Sequence, residues 1–143
     1  MKLINRLASA MILSLSFISV GALAADVHMP REKLIIQMSD ADTAKWNLAL
    51  NNVKNVQQIL GSENVEVEIV VYGPGIGMLK ADSLVGNRVE EAQKANVTVV
   101  ACEVTMTTLK LTKEDMLPNL VYVPAGVVEL MKKQKDGYAY IRP

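Results

Sequence analysis

Three apolar runs too short for helices recur in this chain, and the stretches between them carry a different period. Lys33–Met38 (KLIIQM) and Val97–Ala101 (VTVVA) are nearly continuous, while Val65–Tyr72 (VEVEIVVY) begins alternating and ends continuously apolar. Runs of this length, rich in β-branched residues, read as strands, the continuous ones as strands covered on both faces. Between the first two, Trp46, Ala49, Leu50, Val53, Val56 and Leu60 share one face of a helix. Ser39–Asp42 supplies N-caps for it, and Gly61 supplies its stop. Gly73–Gly77 then reads as a loop. Asp82 or Ser83 caps a second helix with Val85, Val89 and Ala92 inward, and Asn96 ends it in the left-handed conformation. Thr112–Asp115 resembles a capping box. Leu120–Val123 is a fourth strand, and Pro124 suits the first turn of a last helix. Val127, Val128, Leu130 and Met131 form that helix's apolar side, Lys132, Lys133 and Lys135 favour its C-terminal end, and Gly137 stops it. Tyr138–Ile141 is a last short strand. Five strands alternating with about four helices predict a single three-layer α/β/α domain with a mainly parallel five-stranded sheet and right-handed crossovers. The pattern leaves the strand order open.

The 143 residues are not all part of that domain. Lys2 and Arg6 precede an apolar stretch, Leu7–Leu23, and Ala22–Leu23–Ala24 is a small-x-small cleavage signal. Residues 1–24 therefore read as a secretory signal peptide, 25–31 as a flexible N-terminal segment, and 32–143 as the domain. A periplasmic location follows, with no membrane attachment after cleavage. The whole chain holds 15 basic and 15 acidic residues, and cleavage removes two basic ones. A slightly acidic product has no electrostatic reason to bind nucleic acid. An exported chain with one cysteine cannot close an internal disulfide. Its one histidine, His28, lies in the N-terminal segment, so neither a zinc-like ligand cluster nor a Cys–His hydrolytic pair is expected. No metal or cofactor is expected.

Ligands of open α/β sheets sit beyond the carboxyl ends of the strands. Three features fall there: Ser39–Asp40, the glycines Gly73, Gly75 and Gly77, and Cys102. The glycine spacing departs from that of phosphate loops, and a turn with close backbone approach accounts for it as well. Cys102 is either a small buried hydrophobe or a thiol activated by backbone N–H groups of residues 104–106 and the Thr105 hydroxyl. The apolar strand ends at Ala101 and a hydroxyl-rich run follows, which predicts a partly accessible thiol. Strand alternation directs Glu103 away from it.

The segments KWNLALNNVKNVQ (Lys45–Gln57), VEIVVYGPGIGML (Val67–Leu79), VTVVACEVTM (Val97–Met106) and YVPAGVVELMKKQKDGYAYIRP (Tyr122–Pro143) resemble the DsrE/DsrF-like family, which includes sulfur-relay subunits and YchN-like proteins. The similarity runs from Lys33 to Pro143 and is nearest the exported branch. It implies the three-layer fold and a homotrimer or homohexamer. It also implies that Cys102 matches the cysteine that accepts sulfur as a persulfide, with a sulfur donor or acceptor protein as partner. The resulting expectation is a sulfur carrier or thiol-based sulfur or redox sensor rather than a turnover enzyme. The alternatives are a small-ligand binding module using Ser39, Asp40, Asn47, Gly73, Gly75, Gly77 and Thr105, or an oligomeric scaffold without a site.

Overall fold

The computed structural model describes residues 31–143. The expected signal peptide, its cleavage site and His28 lie outside the described residues. Five strands, β1 (Glu32–Met38), β2 (Val65–Val71), β3 (Val97–Cys102), β4 (Val121–Val123) and β5 (Ala139–Ile141), form one sheet in the order β4-β3-β2-β1-β5. Every neighbouring pair is parallel. The carboxyl ends of all five strands therefore share one edge.

Helix α1 (Thr43–Leu60) starts where the Asp42 carboxylate accepts the Ala44 N–H at 2.8 Å. It buries Trp46, Ala49, Leu50 and Val53. Leu60 is exposed, so the buried stripe stops before the helix does. Gly61 follows at φ 87°. Helix α2 (Gly86–Lys94) begins later than Asp82 or Ser83. Ser83 Oγ instead accepts the Val85 N–H in a turn ahead of it, and Asn96 closes it at φ 63°. Both helices cover one face of the sheet with the larger core, which includes Leu34, Ile36, Val67, Ile69, Val89 and Val99. Helix α3 (Glu103–Thr108) adds Met106 to that core.

Three local expectations are corrected. The stretch after β2 is not an open loop. Gly73–Leu79 forms a 3-10 helix that buries Ile76, Met78 and Leu79, because its apolar residues have core to fill. Helix α4 (Gly126–Lys135) starts after Pro124, whose carbonyl accepts the Val104 N–H while Ala125 stays extended. Its apolar side is also narrower than expected: Leu130 is buried, but Val127, Val128 and Met131 are exposed. α4 packs on the second sheet face, where the core is small: Ile35, Val70, Val100, Leu130 and Tyr138.

Candidate functional site

Cys102 ends β3, paired with Val123 of β4, and serves as the N-cap position of α3. Alternation along β3 puts it on the α4 face with Val100, opposite Ala101. The chain turns into α3 immediately, so the backbone amides of Val104 and Thr105 lie beside the thiol, that of Val104 also donating to the Pro124 carbonyl at 3.2 Å. The N-terminus of α4 brings a third, from Gly126. Burial pushes the thiol pKa up. Hydrogen bonds from the Thr105 hydroxyl and from the Gly126, Thr105 and Val104 amides outweigh that and hold it below its ordinary value.

Thr105 also ties the glycine segment to the thiol. Its Oγ1 accepts the Gly73 N–H at 2.9 Å, and the same hydroxyl helps to hold the thiol pKa down. Gly73 sits at φ 53° and has open space where a side chain would be. Gly75 and Gly77 serve packing. A Cβ on Gly75 would lie 2.5 Å from the Met38 carbonyl oxygen, and one on Gly77 would lie 3.2 Å from the Trp46 ring.

Cys102 is only 4% exposed, against the expectation of partial accessibility. The strand runs one residue further than Ala101, and α3 and α4 close over its end. Beside the thiol's partners lies an open, almost wholly apolar groove of about 450 Å³, lined by Gly73, Pro74, Val104, Thr105, Thr108 and Leu109. Thr105 thus belongs both to the groove wall and to the thiol's hydrogen-bond shell. Glu103 is exposed and lines a separate depression with Thr107, Lys113 and Tyr122.

The remaining residues singled out from the sequence do not join this group. Ser39 Oγ accepts from Gln37 at 3.1 Å. Asp40 pairs with Lys45 at 3.0 Å and with Arg142 at 3.6 Å, and these cations hold its carboxyl below the usual range. Asn47 donates to the Thr43 carbonyl at 3.0 Å and accepts from Arg88 of α2. The Gly126 amide was missed because it arrives from 24 residues along the chain, through the α4 crossover. Glu68 and Lys133, an ion pair at 2.8 Å beneath α4, were missed as well. Their signal was a glutamate inside an apolar strand.

Fold and site together define a small parallel α/β domain with one hydrogen-bonded thiol at the carboxyl edge of its sheet. The chain belongs to the DsrE/DsrF-like family, whose pattern it matches over residues 32–143. It is similar in structure to a protein of unknown function, MTH1491, from Methanobacterium thermoautotrophicum. The TM-score is 0.75 at 29% identity, over 78% of this chain and 99% of that one. A conserved protein of unknown function, BT1422, from Bacteroides thetaiotaomicron shares the fold, with a TM-score of 0.65 at 14% identity over 78% of this chain and 95% of that one. No curated protein matches the sequence.

Proposed function

We propose that this chain is an exported sulfur carrier in which Cys102 is the accepting thiol. The observation that carries the reading is the place of the thiol: it ends β3 at the N-cap position of α3, where the Thr105 hydroxyl and the neighbouring backbone amides, that of Gly126 included, hold its pKa below the ordinary value against its burial. A structural cysteine needs no such setting, whereas a nucleophilic one is a thiolate stabilised by N–H groups. The chemistry is an exchange without net redox change. The Cys102 thiolate attacks the outer sulfur of a persulfide donor. The donor's S–S bond breaks, its thiolate leaves, and Cys102 holds the persulfide. Attack by an acceptor thiolate on that outer sulfur returns the Cys102 thiolate. The donor reaches the thiol from the apolar groove, past Thr105.

The same reading places the mature chain in the periplasm, after cleavage following Ala24, as a homotrimer or homohexamer. Val127, Val128 and Met131 of α4 are exposed apolar residues suited to a subunit contact. The groove's size and apolar lining favour a second reading, in which it binds a small apolar molecule and the thiol is part of the wall. Intact-mass spectrometry after incubation with a low-molecular-weight persulfide separates the two. Sulfur transfer predicts one added sulfur atom, mapped to Cys102 and absent from Cys102→Ser. An unmodified thiol with a co-purifying small molecule supports the second reading and overturns the first.

A further inference from the structure

A glutamate in the middle of a sheet face is costly unless it is paired, and Glu68 is only partly paired. Its side chain is 5% exposed. One carboxylate oxygen meets Lys133 of α4 at 2.8 Å, and the other, Oε1, is buried without a partner. Apolar replacements of such pairs are often as stable or more so, so general stability does not account for it. Its position in the fold does.

α4 is weakly held. Gly126 and Leu130 are its buried residues, and Val127, Val128 and Met131 look outward at 54%, 44% and 55% exposure. A helix with so little apolar seat has no strong register of its own against the sheet. Leu130 packs with Ile35, Val70 and Val100, and Lys33 donates to the Asp136 carbonyl at 3.2 Å just past the helix end; two further contacts set its register. Gly126 fits against Tyr72 so closely that a Cβ would lie 3.1 Å from the Tyr72 ring, and this end of the helix lies beside Cys102 and lowers its pKa. Lys133, two turns or about 10 Å further along the helix, reaches Glu68. Glu68 lies four residues before Tyr72 on the same face of β2, about 13 Å back along the strand. The ion pair thus anchors the far end of the helix whose near end serves the thiol. The buried Tyr138 supports it: its hydroxyl bonds Glu66, and Lys133 sits 4.9 Å from its ring centroid. Glu66 and Glu129 are the other charges beside Glu68.

We propose that Glu68 and Lys133 are positioning residues for Cys102, holding α4 in the one register that aims the Gly126 N–H at the thiol. The proposal rests on the reading of Cys102 as a functional thiolate. The test is the thiol titration followed by thiolate ultraviolet absorbance, with Cys102→Ser as the blank. Lys133→Met should raise the Cys102 pKa by about one unit, the worth of one charge-assisted hydrogen bond. It should also destabilise the fold, because it strands a buried carboxylate. The double variant Glu68→Leu with Lys133→Leu separates position from stability. It should recover stability toward that of the unsubstituted protein while its thiol pKa stays raised. A thiol pKa that returns with stability in the double variant, or that is unchanged in both variants, overturns the proposal. A thiol that titrates at or above its ordinary value before any substitution overturns the carrier reading itself, and is recognised at that earlier step.

Discussion

Thr105 holds two groups with one hydroxyl. It accepts from the Gly73 amide and holds the Cys102 pKa down, so the glycine turn and the thiol meet at the same atom. Replacing it with valine keeps the shape, removes both interactions, and leaves the Gly73 N–H without its acceptor. Thr105→Val should therefore lower stability by about 1–3 kcal/mol and raise the thiol pKa, while Thr105→Ser should preserve both. The loss should depend on pH. A group whose folded pKa is depressed contributes stability that is present above its unfolded value, about 8.5 for a thiol. That contribution is lost as pH falls through the folded value. The gap in urea midpoint between the threonine and valine forms should thus be wider at about pH 9 than at about pH 6. A gap independent of pH would show that the hydroxyl serves only the turn.

The 3-10 helix Gly73–Leu79 and α4 decide how the site is enclosed, and they are the elements least legible beforehand. α1 was readable because its period, its Asp42 cap and its Gly61 stop agree. The glycines of 73–77 signalled a turn, yet Ile76, Met78 and Leu79 carry the segment into the core. What those glycines do depends on a neighbour distant in sequence, the end of β1. Gly75→Ala would press a methyl group against the Met38 carbonyl at 2.5 Å, backbone that cannot easily yield. A loss of about 1–3 kcal/mol is expected by chemical denaturation, and an unchanged midpoint would contradict the packing described. For α4, helical period showed which residues are apolar but not what lies opposite them. Lys133 read as a partner of the helix dipole, and its ion pair with Glu68 was invisible because the register between helix and strand is a tertiary property.

Among the described residues the two faces of the sheet differ. α1, α2, α3 and the 3-10 helix build the larger core on one face, and α4 covers much of the other. The all-parallel order β4-β3-β2-β1-β5 was not readable from local pattern, since it is fixed by crossovers. The placement of Cys102 at a strand end was readable, because the apolar run stops beside it. Its burial was not, because α4 closes over it from elsewhere in the chain. The exposed Val127, Val128 and Met131 on the thin face lead us to expect a homo-oligomer. Light scattering of the mature protein at micromolar concentration should return a multiple of the chain mass, and a monomer mass would contradict this.

The central claim, that Cys102 is a stabilised thiolate reached from the apolar groove, is tested most directly by thiol labelling of the folded protein as a function of pH. The one cysteine makes the readout unambiguous. The account predicts labelling in the native state, slowed by burial, with an apparent pKa below the ordinary value of about 8.5. Labelling that occurs only after unfolding would make Cys102 a core residue and contradict the account.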